Sequence, residues 1–236
     1  MSSLTVRVVG AGRAGRSLAA ALGQLRWSVE LSDRDSDVSG AADGVELLVL
    51  AVPDGAIAEV AASVEPVAST VVAHLAGSLG LEVLAPHRLR AAIHPLVALP
   101  NAEVGAERLL AGAWFAVAGE PIASDVVAAL GGRSFAVDDR DRVAYHAAAV
   151  IASNHLVALL DQVEAVAPDG VPFDAYLDLV RSTVDNVAAL GPVAALTGPA
   201  ARGDIATIER HLAALAPAER ALYEVLAARC ARMAGR

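Results

Sequence analysis

Short apolar runs and amphipathic stretches alternate through the first 138 residues. Val6–Val9 is an apolar run, residues 27–33 alternate, and residues 45–52 are apolar almost without interruption. Further runs fall at residues 70–76, 91–94, 113–117 and 133–137. Helical spacing occupies residues 16–25, 55–64 and 122–130 between them. Strands separated by crossover helices predict an α/β fold with a doubly wound parallel sheet, and the continuous run at 45–52 suits a strand buried on both faces. A charge cluster, Asp138-Asp139-Arg140-Asp141-Arg142, then closes the alternation. Helices are expected beyond it over residues 141–165, 174–190, 205–215 and 217–233, with Asp204 as the N-cap of the third. The division expected is an α/β domain over residues 1–138 and an all-helical domain over residues 139–236. The first of those helices is apolar nearly all round, which predicts a central, buried helix.

Of the 236 residues, 56% are hydrophobic, but alanine supplies much of that share. The longest apolar stretch, residues 144–160, carries His146, Ser153, Asn154 and His155, a set that a bilayer span would tolerate only inside a protein. No membrane partner is expected, and the apolar run near the N-terminus is too short for a signal-peptide core. The formal net charge of −9 comes without a basic stripe, which argues against nucleic acid. The single cysteine, Cys230, cannot form an internal disulfide, and a cytoplasmic setting is expected. All 18 basic residues are arginine. Without lysine there is no Schiff base, no lysine general acid and no lysine phosphate clamp.

Candidate chemistry begins where the first strand ends. Gly10-Ala11-Gly12-Arg13-Ala14-Gly15 is G-x-G-x-x-G set between a strand and a helix, the context that gives this motif weight. Gly10 is expected to make the tight turn, Gly12 to admit a pyrophosphate, and Gly15 to let helix and sheet close. Asp33, at the end of the second strand, is placed to bind ribose hydroxyls as in NAD. Arg34 beside it is placed to hold the 2′-phosphate of NADP, so the choice between the two cofactors stays open. Three further strands end on polar or turn residues: Val52-Pro53-Asp54, Gly77-Ser78 and His94-Pro95. Ligands of such sheets bind beyond the carboxyl ends of the strands, which makes Val52, Pro53 and Ser78 cofactor-side candidates. His94 is the candidate proton donor or acceptor, because imidazole titrates near neutral pH. His74 reads as a satisfied core histidine and His87 as a surface one. On the first helix of the second half, Asn154 and His146 are candidates to orient a reacting oxygen. Arg202 is the candidate anion anchor with Asp204 beside it. No metal site is expected.

Four strings carry a resemblance: Ala73-His74-Leu75-Ala76-Gly77-Ser78, His94-Pro95-Leu96, Ser153-Asn154-His155-Leu156, and Thr197-Gly198-Pro199 through Arg202-Gly203-Asp204. Together they resemble the Rossmann-like DUF2520 family, within the 6-phosphogluconate dehydrogenase-like superfamily. The resemblance implies an oxidoreductase fold that binds NAD or NADP, a small-molecule substrate, and a homodimer formed through the helical half. Hydroxyacid dehydrogenases of that superfamily carry a lysine before an asparagine pair on this helix. If Ser153-Asn154 matches that pair, Val150 occupies the lysine position. The His-Pro at a strand end resembles that of prephenate dehydrogenases. The resemblance therefore implies hydride transfer to or from a small carbonyl or hydroxy acid with a histidine acid/base. The alternative is a non-catalytic NAD(P)-binding redox sensor that regulates a protein partner.

Overall fold

A computed structural model describes residues 4–33 and 36–236. The chain divides into two compact units, Met1–Ser153 and Asn154–Arg236.

The first unit is built on seven strands: β1 (Thr5–Val9), β2 (Ser28–Ser32), β3 (Leu47–Leu50), β4 (Val71–His74), β5 (Arg90–Pro95), β6 (Trp114–Gly119) and β7 (Arg133–Ala136). Their order in the sheet is β2-β1-β3-β4-β5-β6-β7. Strands β3 and β4 are buried at every position, as strands in the middle of a covered sheet should be. Alternate residues feed opposite faces. Leu47 and Val49 join a core cluster with Leu18, Leu22, Ile93 and Phe115, while Leu48 and Leu50 join the other with Ile57, Val72 and Leu84. The helices that cover these faces include α1 (Arg13–Gln24), α2 (Ile57–Ser63), α3 (Ala102–Leu110) and α4 (Ile122–Ala129).

All pairings are parallel except one: β5 and β6 run antiparallel, with His94 opposite Ala116 and Pro95 opposite Phe115. The sheet expected to be parallel throughout is therefore mostly parallel. The connection after β5 explains the reversal. It turns back at once, Leu96 N–H donating to the Trp114 carbonyl, and its helix α3 packs on α1 instead of crossing the sheet. That packing is close: a Cβ on Gly105 would lie 2.0 Å from Ser17 Oγ.

His87 also departs from expectation. It is 2% exposed, and its Nε2 pairs with the Ala61 carbonyl at 2.9 Å. A neighbouring proline and arginine suggested surface, but the ring ties the segment before β5 to α2. His74 is fully buried, with Nε2 at 3.2 Å from the Gly80 carbonyl and Nδ1 accepting from Ala76 N–H. Its two ring nitrogens are satisfied by backbone, and its burial lowers its pKa below the ordinary histidine value.

Helix α5 (Arg142–Val150) closes the first unit, and a π turn follows over Ile151–His155. The stretch expected as one buried helix is thus interrupted. It is also not enclosed: Val143, Ile151 and Val157 are 70%, 59% and 67% exposed. Apolarity all round says that every face needs cover, not that one copy of the chain supplies it. Among the described residues, Asp139–Val166 is the one helical stretch long and apolar enough to cross a membrane by length and composition.

The second unit is helical: α6 (Leu156–Val166), α7 (Phe173–Leu190), α8 (Pro192–Ala195), α9 (Pro199–Arg202), α10 (Ile205–Ala214) and α11 (Pro217–Met233). Gln162 on α6 donates to the backbone carbonyl and carboxylate of Glu219 on α11, both at 3.0 Å. Asp204 caps α10 with both carboxylate oxygens, accepting from Thr207 N–H at 3.1 Å and from Thr207 Oγ1 at 2.8 Å. These bonds hold its pKa below the usual carboxylate value. Asp204→Ala should lower Tm by a few degrees through the lost cap, readable by circular dichroism at 222 nm.

Candidate functional site

The sheet reverses its winding at β1. The chain leaves β1 through α1 to reach β2 on one side, and β3 lies on the other. This is the switch point beyond which open α/β sheets hold ligands. Gly10 follows β1 with φ +111, and a Cβ there would lie 2.5 Å from the Ala51 carbonyl oxygen. A Cβ on Gly15 would lie 2.0 Å from the Gly10 carbonyl oxygen. Gly12 is the opposite case: a Cβ there would meet nothing within 4 Å. Two glycines let the backbone close on itself, and the one between them leaves a bare, exposed surface. Gly12 is also the N-cap of α1, with no side-chain cap on the first-turn N–H groups. Such a helix start favours an anion. Ala11 and Ala14 stay small beside it, Arg13 is exposed at the rim, and Arg16 Nε donates to the Ala11 carbonyl at 2.5 Å. The loop fits the pyrophosphate of a dinucleotide.

Asp33 lies just past β2, and Arg34 lies outside the described residues. A cavity of about 340 Å³ is lined by Ser36, Asp37, Ser39, Glu59 and Ser63, among others. Val52 is buried and Pro53 exposed at the end of β3. Ser78 Oγ donates to Asp54 Oδ2 at 3.2 Å, tying the loop after β4 to the loop after β3.

A side-chain cluster stands at the same edge of the sheet. His94, at the end of β5, has Nδ1 at 2.7 Å from Tyr145 Oη on α5. Its ring meets Tyr145 edge-on, with centroids 5.5 Å apart, and meets His146 edge-on at 5.8 Å. Phe135 of β7 backs Tyr145 at 5.8 Å. The cluster closes against bare backbone. A Cβ on Gly77 would lie 2.7 Å from His146 Cδ2 and 2.9 Å from His94 Cε1 and Nε2. A glycine after β4 is what lets both imidazoles reach this spot. Nδ1 of His94 is engaged, and Nε2 has no hydrogen-bond partner among the described residues.

Burial, with the neighbouring His146, pushes the His94 pKa down to about 4, and Asp54 only partly offsets this. His94 is therefore neutral at physiological pH. Burial also raises the Tyr145 hydroxyl above its ordinary value, opposed by the positive charge of Arg142. Arg142 lies one turn before Tyr145 and His146 on α5. Its side chain is fully enclosed and its Nε donates to Asp139 Oδ1 at 3.0 Å.

The fold thus brings together two residues picked from sequence, His94 and His146. It adds Tyr145 and Arg142, which sequence reasoning passed over. Their signal was the spacing 142, 145, 146, which places all three on one helix face. Asn154 lies in the π turn after α5, a feature that frequently marks functional positions. Arg202 ends α9, and Asp204 is committed to its cap. Among the described residues, no group of three or more histidine, cysteine or acidic side chains could hold a metal ion.

Sheet, switch point and glycine loop together define a Rossmann domain followed by a helical region. Two family models match, a Rossmann-like domain over residues 31–100 and DUF2520, a domain of unknown function, over residues 115–230. The chain thus carries a Rossmann-like match followed by a DUF2520 match, the pairing its four strings implied. No curated protein matches it in sequence. Among solved structures it is similar to a Bacteroides fragilis protein designated a candidate NADP oxidoreductase, with a TM-score of 0.79, 22% identity and 98% of both chains covered. It is also similar to an Aspergillus terreus reductive aminase in complex with NADPH and ethyl-5-oxohexanoate. That match has a TM-score of 0.74 at 14% identity, over 98% of this chain and 94% of the other. A Plasmodium falciparum pyrroline carboxylate reductase with NADP bound gives a TM-score of 0.63 at 12% identity, over 99% of each. At these identities the shared property is the fold.

Proposed function

We propose that this protein is an NAD(P)-dependent oxidoreductase that moves hydride between the nicotinamide and a small carbonyl compound or hydroxy acid, with His94 as acid/base. The observation that carries the reading is the 2.7 Å pairing of His94 Nδ1 with Tyr145, which leaves Nε2 at the strand-end edge that also presents the Gly10–Gly15 loop. The solved structures with NADPH or NADP named above support the cofactor class by fold.

Residues 1–138 hold the dinucleotide in this reading. Gly10, Gly12 and Gly15 shape the pyrophosphate loop with Ala11, Arg13 and Ala14. Asp33 and Arg34 are assigned to the adenosine ribose, and Val52, Pro53 and Ser78 to the nicotinamide side. When bound, the cofactor supplies or accepts the hydride. The protein manages the proton. Tyr145 donates to Nδ1, which fixes the neutral tautomer with its hydrogen on Nε2, and that N–H holds the carbonyl oxygen. As negative charge grows on the oxygen, the Nε2 proton moves to it and the Tyr145 proton moves to Nδ1, and the phenolate left near the Arg142 charge takes its proton back from water. A neutral imidazole suits this role, because it polarises a carbonyl without first having to be protonated. His146 packs edge-on to keep the ring in place. Lysine, absent from the chain, is not required.

Residues 139–236 form the substrate and dimerisation half in this proposal. A homodimer would cover the apolar side chains that one copy leaves out, among them Leu179, Val184, Leu190, Val193, Ile205 and Val225. The setting proposed is the cytoplasm.

Calorimetric titration with NADH, NADPH and their oxidised forms tests the cofactor, and NAD(P)H absorbance over a panel of 2-oxo acids, aldehydes and imines tests turnover. Binding with turnover supports the proposal, and absence of binding overturns it. Tight binding without turnover over the whole panel, joined to a protein partner gained or lost with NAD(P)H, would instead identify a redox sensor.

A further inference from the structure

Arg142 is fully buried, and its Nη1 and Nη2 have no hydrogen-bond partner. They are the only buried side-chain nitrogen or oxygen atoms without a partner among the described residues. An enclosed, unpaired cationic edge is expensive, and native folds keep such groups where a function uses them.

The geometry says what would use it. A guanidinium presents two edges to a carboxylate, one through Nε and one through the two Nη atoms. Asp139 Oδ1 takes the Nε side at 3.0 Å, which locks the plane of the group and leaves the Nη1/Nη2 fork open. Asp139 is itself held: a Cβ on Gly80 would come within 3.0 Å of its Cγ and Oδ2, so the loop after β4 pins the tether from the far side. The helix then sets direction. Arg142, Tyr145 and His146 are spaced i, i+3 and i+4, and the latter two both touch His94. The free fork therefore stands on the helix face that carries the acid/base cluster, about one turn away.

We propose that Arg142 binds a substrate carboxylate through Nη1 and Nη2, so that the carbonyl compound taken at His94 is a small 2-oxo acid, or the matching 2-hydroxy acid in the oxidative direction. This rests on the oxidoreductase reading and narrows it. A carboxylate on the fork and a neighbouring carbonyl oxygen on His94 Nε2 are one carbon apart in such a compound. Both nitrogens are enclosed in the folded chain, so the anion must displace what covers them while the Nε–Asp139 pair stays in place. Arg142 replaces Arg202 as the anion anchor in this assignment.

The test uses the full-length protein and two kinds of probe. NADPH is titrated first and reports on the cofactor reading alone. Glyoxylate, pyruvate and 2-oxobutyrate are then titrated by calorimetry, with and without NADPH, alongside the methyl ester of pyruvate. The wild type should bind at least one acid, and pyruvate should exceed its ester by about tenfold or more, the usual difference made by a bidentate charged pair. Arg142→Lys keeps the charge and loses the fork, and should lose most of that preference. Arg142→Gln should lose all of it, while Arg202→Gln should keep it. If Arg142→Gln fails to fold, as judged by circular dichroism, the acid-versus-ester comparison on wild type and the Arg142→Lys and Arg202→Gln variants still decide. Equal binding of acid and ester, no binding of any acid, or a preference lost with Arg202 instead of Arg142 would overturn the proposal. Loss of NADPH binding with the acid preference intact would overturn the oxidoreductase reading and leave Arg142 as an anion site.

Discussion

Gly12→Val should leave the protein folded while abolishing its grip on a dinucleotide, whereas Gly15→Ala, in the same motif, should damage the fold itself. At position 12 a new Cβ meets nothing within 4 Å, and the backbone is in an ordinary extended conformation, φ −73 and ψ −176. Valine is a poor N-cap but no worse than about 1 kcal/mol against glycine there. The bare surface it fills is the one a pyrophosphate must touch. Loss of the charge-assisted backbone bonds should weaken NADPH binding by about a hundredfold or more. At position 15 the added methyl would sit 2.0 Å from the Gly10 carbonyl oxygen and 3.0 Å from Ala51 Cβ. Neither neighbour is the end of a flexible chain, so α1 must move off the sheet, at about 3 kcal/mol or more. Thermal melts and NADPH calorimetry on both variants separate the two effects. A Gly12→Val protein that still binds at wild-type strength would remove the loop from the cofactor site.

How far the sequence could be read depends on where each signal lives along the chain. The strands of the first unit were legible because β3 and β4, apolar but for His74, lead into Pro53 and Gly77-Ser78. The antiparallel turn from β5 to β6 was not. Its cause is the packing of α3 on α1, a contact between segments some eighty residues apart, as with Ser17 Oγ and the Asn101 carbonyl. The candidate site divides in the same way. His94 announced itself as a titratable group at a strand end. Tyr145 lies 51 residues further on, and nothing local to it says that its hydroxyl meets an imidazole. Arg142 was hidden by its company. It is the last member of a run of charges that reads as a solvated boundary, yet it alone among them is fully buried. A helix-face reading of 142, 145 and 146 would have found it, because that spacing puts a cation, a phenol and an imidazole side by side.

His94→Gln should change both the chemistry and the acid stability of the protein. Glutamine keeps some hydrogen-bonding capacity but cannot pass on a proton, so kcat on any substrate found should fall by roughly 10²- to 10⁴-fold. The stability effect has a definite sign. In the unfolded chain His94 titrates near 6.5, and in the folded protein burial and His146 hold it down at about 4. Between those values the unfolded state binds more protons, so stability rises with pH across that interval. The contribution is fully present above pH 6.5 and is lost as the pH falls toward 4, amounting to about 3 kcal/mol over the whole range. His74, buried and also lowered, adds to the same slope and persists in the variant. Denaturant melts at pH 7.0 and 4.5 should show wild type losing distinctly more stability than His94→Gln. The two proteins should come closest at the acid end, because the variant lacks the group that resists protonation. Parallel losses in both would mean that His94 is solvated and ordinary. An imidazole of that kind would titrate near 6.5 and carry an acid limb into the pH–rate profile there, where a neutral, enclosed one leaves the rate flat through pH 6 to 8.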